Sequence, residues 1–276
     1  VISSYARVIR AGIVKNYILT VTYPTMLLNR ILGPIVWIGI SLFSYAAIAG
    51  PQQLEEAFAR QGAGTDVVGF LILGQTIFSL FQSLNFRGGM AIQRERWQGT
   101  LEIVLLAPTS RVAFILGESL YGILDGGWTV LLALLVTAFA FQARFHVASP
   151  LLALVVLALT LAAMLALSLF FSGFYVLTRS AGPMSWAIQT PVRFFSGTQF
   201  PIRALPVVLQ GVSYALPVTF GAIAVRAAFD GTGTWASLAP VLGALVGFTI
   251  LFGWLGVVLV HRMERLAKER GTLHRY

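Results

Sequence analysis

Residues able to do bond-making chemistry are few in this sequence, and they are scattered. The three histidines, His146, His261 and His274, lie too far apart in the chain to suggest a shared metal or a proton relay. There is no cysteine, which removes disulfides and thiolate metal sites. A phosphate-binding loop needs a glycine-rich turn that ends in Lys-Ser or Lys-Thr. Lys15 precedes Asn16 and Lys268 precedes Glu269, and the chain has no other lysine. Neither a His-Glu-x-x-His nor a Gly-x-Ser-x-Gly pattern occurs. The reading is therefore no catalytic residue, no metal site and no cofactor bound by this chain, with any nucleotide hydrolysis left to another subunit.

More informative are polar residues stranded inside long apolar runs. Gln75 and Gln82 stand seven apart, with Asn85 close behind; Glu118 and Asp125 are again seven apart; Arg193 interrupts a further run and precedes Phe194 and Phe195. A seven-residue step returns to one face of a helix. Ionisable groups in a bilayer are costly and so are candidates for function. Two uses fit. These residues line a polar path, with Phe194 and Phe195 at an exit for an apolar or amphipathic molecule, or they pair helices internally, for instance Asp125 with Arg193 or a glutamine. Glu118, near one end of its run, is placed to reach water.

The elements that hold these residues follow from composition. Hydrophobic residues make up 57% of the 276 and charged residues only 11%, with mean hydropathy +0.83. A soluble domain carries roughly 25% charged residues. The predicted fold is all-α integral membrane, with six transmembrane helices near Leu27–Ala49, Val67–Phe86, Val112–Phe141, Leu151–Thr178, Met184–Phe200 and Ser237–Val260. Residues 1–23 read as an amphipathic interfacial helix, because Ile2, Tyr5, Ile9 and Ile13 share a face. Residues 201–234 are apolar but broken by Pro201, Pro206, Gly211, Pro217 and Gly221, which predicts external re-entrant half-helices too short to cross. Gly122 and Gly126, and Gly243 and Gly247, are small-xxx-small steps suited to close helix contact. No removable leader is expected, since no small-residue cleavage site follows the first apolar run.

The net charge of +9 suits anionic headgroups rather than nucleic acid. With both termini inside, only Arg60, Arg144, Arg193, Arg203 and Arg226 of the 19 Lys and Arg fall on the outer half. The expectation is a multi-pass protein of the cell inner (plasma) membrane with both termini cytoplasmic.

The inner connection Arg94–Arg111 reads RERWQGTLEIVLLAPTSR. Trp97, Leu101, Val104 and Leu105 fall on one helical face, Gly99 permits a bend, Thr100 is placed to cap the second piece, and Glu102 is favourable near its N-terminus. Pro108 stops the helix and Ser110 can cap the next. Such an element, one face on the membrane domain and the other free for a soluble partner, could carry force; a plain interfacial loop helix fits the same pattern.

Arg94, Glu95, Arg96, Gly99, Thr100, Leu101, Glu102, Pro108, Ser110 and Arg111 resemble the signature of ABC type 2 exporter permeases. The stretch Phe195–Pro201, with Leu205-Pro206, Leu216-Pro217 and Val225-Arg226, is similar to that family's fifth-span exit and external half-helices. One departure is Glu118 after Gly117, where many relatives carry a basic residue. The resemblance implies a single ABC type 2 transmembrane domain over 1–276, with 1–23 as connecting helix, 93–110 as coupling helix and 201–234 as the external hairpin. It implies two ABC ATPase subunits per complex, which bind the ATP and Mg, and a second permease chain, identical or homologous. The cargo would be an amphipathic drug, natural product, lipid or lipid-linked glycan, moved outward by alternating access. The alternative is a secondary transporter or channel not driven by ATP, which should show inverted repeats. None is evident, and a membrane enzyme would need clustered histidine, aspartate or serine.

Overall fold

The computed structural model describes residues 2–22, 67–106, 110–141, 146–177 and 181–269, with shorter stretches between 32 and 60. Most of these residues are helical, and they include no strand. Helix α1 is Ile2–Thr22. Helix α2, Val67–Leu84, runs into a π-helical turn, Asn85–Gly89, and then into α3, Ala91–Trp97. Next come α4, Leu101–Leu106, α5, Arg111–Phe141, α6, Pro150–Leu177, and α7, Ala181–Phe195. A 3-10 turn, Ile202–Ala204, leads to α8, Val207–Tyr214, α9, Pro217–Phe229, and α10, Trp235–Glu269.

Local sequence explains several boundaries. Ser149 accepts the Leu152 N–H at 3.4 Å and Pro150 opens α6, an N-cap followed by proline at N1. Ser110 does the same for α5 through the Ala113 N–H at 3.5 Å, as its position predicts. Thr234 and Ser237 cap α10 reciprocally, Ser237 N–H to Thr234 Oγ1 at 3.2 Å and Thr234 N–H to Ser237 Oγ at 2.9 Å.

Three helices among the described residues are long and apolar enough to cross a membrane: Val67–Gly89, Pro150–Tyr175 and Trp235–Arg262. The pair α8 and α9, bent by 87°, makes up to four if it counts as one broken span. Of expected span one, Leu27–Ala49, about half of the positions are described and these are helical, with Val36–Tyr45 forming a shorter apolar helix. Expected span three coincides with α5. Expected span five becomes α7, whose 15 residues reach only about 22 Å at 1.5 Å each, short of a ~30 Å hydrocarbon core.

Helix α2 is the central element. Its Leu73, Ile77, Phe81 and Leu84 join Leu152, Val156, Met164 and Leu167 of α6 and Val218, Ala222 and Val225 of α9 in one core. Lipid tails are as apolar as leucine, so packing fit rather than exclusion of water holds such helices together. Close approach is visible where α5 crosses α2: a Cβ on Gly122 would stand 3.1 Å from Arg87 Cβ, and one on Gly126 would stand 3.1 Å from Ser83 Cβ. Gly243 and Gly247 have nothing within 4 Å among the described residues; on α10 the near-contact glycine is Gly256, against the Leu169–Phe170 backbone of α6.

The 201–234 region is less peripheral than its broken sequence suggests. Helix α9 is part of the main core, while α8 leaves Val207 and Val208 exposed. The sharp turn between them is closed by the Leu216 N–H to Ser213 O bond and by Thr219 Oγ1 donating to Ser213 O at 2.6 Å.

Candidate functional site

Two polar assemblies occupy the region where α1, the π turn, α3 and α5 meet. The first is a charged network. Glu118, on α5, is 1% exposed. Its carboxylate accepts from Arg94 Nη2 at 2.5 Å and from Asn16 Nδ2 at 2.9 Å, and Lys15 Nζ is 3.5 Å away. Lys15 also forms an ion pair with Glu95, which accepts from Thr100 Oγ1 at 2.5 Å. Arg94 reaches back to the Arg87 carbonyl at 2.7 Å; Arg87 donates to Asn16 Oδ1 at 2.9 Å and pairs with Asp125 at 3.3 Å. Burial pushes the Arg94 guanidinium below its ordinary value, and Glu118 pulls it back. The network ties the N-terminal helix, the exit of α2, α3 and α5 together; Glu118, Glu95 and Arg94 are shielded from water, where pairing is strong and one missing partner is costly, while Lys15 is partly exposed.

The α3–α4 element keeps its predicted bend. Gly99 adopts φ +71, a conformation that favours glycine. Thr100 stands at the cap position, with the Val104 N–H on its carbonyl, but its hydroxyl turns to Glu95. Of the predicted face, Trp97 is exposed and Val104 half-buried; beside it Arg94 and Glu95 turn inward to the network, while Ile103 and Leu106 are exposed, Leu106 at 85%. The side chains of Leu101 and Glu102, and Pro108 as a whole, lie outside the described residues. Arg96 donates to Gln93 Oε1 at 3.2 Å.

Beside the network lies a cavity of about 710 Å³. Gln75, Gln82 and Asp125, three of the predicted path residues, line it with Arg87, Trp186 and Gln189. Asn85 is buried nearby but does not line it: its amide exchanges hydrogen bonds with the Tyr175 hydroxyl at 3.3 Å and donates to Ser185 Oγ at 3.3 Å. Gln189 Nε2 donates to the same Ser185 Oγ at 2.6 Å. Arg193 does not pair with Asp125. It donates to Gln75 Oε1 at 3.2 Å and lies between the rings of Trp37 and Phe78, 4.0 and 4.5 Å from their centroids. Phe194 is partly exposed and faces Phe200 at 6.4 Å; Phe195 is half-buried. Two sequence expectations change. Glu118 is sealed from water because α1 packs across it, with Gly12 over Gly117. Asp125 takes Arg87 because the π turn brings the exit of α2 beside α5.

Lys15, Asn16, Arg87 and Gln189 were not singled out from the sequence, and Glu118 was singled out only as a residue near water. Ser185, Gln189 and Arg193 repeat at four-residue steps, and that stripe was the available signal for the α7 wall.

At the opposite end, Arg226 of α9 donates to the carbonyls of Gly197 at 2.8 Å, Thr198 at 3.0 Å and Phe70 at 3.2 Å, and its guanidinium lies 3.4 Å from the Phe70 ring centroid. It fastens the loop after α7 to the start of α2.

The family model for ABC-2 type transporters matches residues 7–229, most of the chain and all of these assemblies. No curated protein matches. A model match of that extent, on an apolar helical chain with several candidate membrane spans, shows that this chain belongs to the ABC-2 type transporter family, as a multi-pass membrane permease subunit and not itself a catalyst.

Proposed function

We propose that the chain is the membrane subunit of an ATP-driven exporter. Two such chains, identical or homologous, work with two ABC ATPase subunits that bind ATP and Mg and drive alternating access. The observation that carries this reading is the two-sided α3–α4 element. Its inner side is ion-paired to α1 and α5, and its outer side offers Trp97, Ile103 and Leu106. An element gripped on one side and apolar on the other suits force transfer from a soluble partner, the part assigned to the coupling helix over 93–110. The distribution of basic residues supports both termini in the cytoplasm and the inner membrane as location. On that orientation the bent α8–α9 pair dips from the outer side. The cavity lined by Gln75, Gln82 and Asp125 then belongs to the path of an amphipathic cargo.

The test is Leu106→Asp, alone and with Ile103→Asp. Both residues are exposed, so insertion and melting should be unchanged while co-purification of the ATPase and ATP-dependent transport are lost. Unchanged transport in these variants and in Gly99→Pro would refute the coupling assignment. Transport by the chain without any ATPase would favour a secondary transporter.

A further inference from the structure

We infer that Arg193 seats the anionic headgroup, a phosphate or carboxylate, of an amphiphilic cargo; the inference deepens the permease reading above and rests on it. The chain's other inward-facing arginines show what is missing at this one. Arg94 pairs with Glu118, and Arg87 with Asp125 at 3.3 Å. Arg226 takes three backbone carbonyls. Arg193, in the last turn of α7, has one neutral acceptor, Gln75 Oε1 at 3.2 Å, and no carboxylate partner among the described residues. The rings of Trp37 and Phe78 lie 4.0 and 4.5 Å from its Cζ and meet the charge with their faces. Those contacts offset part of the charge. They accept none of the five N–H groups, which point outward in the guanidinium plane. A cation held in an apolar setting by neutral partners alone is costly, which makes it a candidate for a ligand.

The guanidinium keeps one donor open. Its Nε is enclosed and finds no acceptor, so no ligand reaches it there. Nη2 holds Gln75, while Nη1 makes no hydrogen bond among the described residues and, unlike Nε, is not enclosed. An oxyanion that lands on Nη1 reaches Nη2 by replacing the Gln75 oxygen. The product is the pair of parallel N–H···O bonds that phosphates and carboxylates make with arginine. Gln75 stays tethered when displaced, because its Nε2 donates to Ser79 Oγ at 3.2 Å. The place of the site favours a cargo over a resident lipid. Gln75 and Trp37 both touch Arg193 and both line the cavity, so the guanidinium stands one contact behind the cavity wall. Apolar surface for a tail is at hand on Trp37, 45% exposed, and on Phe194, next in sequence and 46% exposed.

The experiment reads thermal unfolding of the full chain in dodecyl maltoside micelles, followed by tryptophan fluorescence. Three probes separate head from tail: lysophosphatidate, the monoacylglycerol that lacks its phosphate, and the glycerol phosphate that lacks its chain. Lysophosphatidate should raise the melting point saturably, by about 5 °C at a hundredfold excess over its dissociation constant. Each partial probe should give only a small part of that rise. Arg193→Gln should abolish the rise. Arg193→Lys keeps the charge for folding but not the fork, and should lose part of it. Arg203→Gln, at an exposed arginine in the turn after α7, should keep all of it. An absent rise, a rise undiminished in either Arg193 variant, a rise lost in Arg203→Gln, or one that a partial probe reproduces would each overturn the inference. In the complex with its ATPase, lysophosphatidate should stimulate ATP hydrolysis in the parent and not in Arg193→Gln, each compared with its own basal rate. A melting rise without that stimulation would make the ligand a resident lipid and overturn the cargo assignment. The melt needs no ATPase. Loss of the exporter reading would instead appear as ATP-independent transport or as indifference to Leu106→Asp, with the Arg193-dependent rise intact.

Discussion

Glu118→Leu is the sharpest probe of the network that joins α1, α3 and α5. The substitution keeps an apolar side chain of similar reach but removes the carboxylate that holds Arg94 Nη2 at 2.5 Å and Asn16 Nδ2 at 2.9 Å. Lys15 keeps Glu95 and is partly exposed, so it adds little. Arg94 is left largely buried, with the Arg87 carbonyl as its one hydrogen-bond acceptor among the described residues. Stranding one partner of a buried pair costs about 3–5 kcal/mol. Glu118→Gln retains an acceptor and should cost about 1.5–3 kcal/mol, the worth of a charged hydrogen bond. The double variant Arg94→Met/Glu118→Leu removes both charges and should recover to within about 1 kcal/mol of the parent. Thermal unfolding in nanodiscs, followed by tryptophan fluorescence, should show Glu118→Leu melting lower by on the order of 10 °C, with the double variant back near the parent. A melting point for Glu118→Leu within about 2 °C of the parent, or a double variant as unstable as the two singles combined, would refute the picture of a buried, mutually dependent pair.

Three further outcomes follow from the same geometry. Arg226→Leu abandons three carbonyls and the Phe70 ring and should destabilise by about 3–5 kcal/mol; Arg226→Lys should restore part of this, and both are read by the same melt. Gly74→Ala would put a Cβ 1.8 Å from the Thr198 carbonyl oxygen, a backbone atom, so the loop after α7 must move at a cost of about 1–3 kcal/mol; an unchanged melt would show that the loop yields freely. Gly99→Ala meets no atom within 4 Å among the described residues, so its cost there is that of the backbone conformation, about 1–2 kcal/mol, and Gly99→Asn should cost less.

Much of this was legible because it is local. Gly99 as a bend, Ser110 as a cap, and Gly122 and Gly126 as a close crossing each depend on residues a few positions apart. The core role of α9 was not, because Pro217 and Gly221 advertise a break while Val218, Ala222 and Val225, the residues that seat the helix, look like any apolar run. The partners of Glu118 and Asp125 were also out of reach. Arg94 is 24 residues from Glu118, and which arginine meets which acid depends on how far α2 has rotated by the time it reaches α5. A regular 3.6-residue period cannot supply that angle, since the exit of α2 departs from it at Asn85–Gly89.

That π turn amounts to a rotary offset written into the chain. In an α-helix each residue advances the face by about 100°, and an i→i+5 ring spends one residue more per turn than an α-helix would. Everything after Gly89 is thereby clocked relative to the face that carries Gln75 and Gln82. Deleting one residue there would restore a regular helix and swing Arg94 and Glu95 by roughly a quarter of a revolution, away from Glu118 and Lys15. A change that leaves every side chain of the cavity wall intact could thus disengage it from the α3–α4 element, so the length of this short turn, more than its composition, sets which way the two parts face each other.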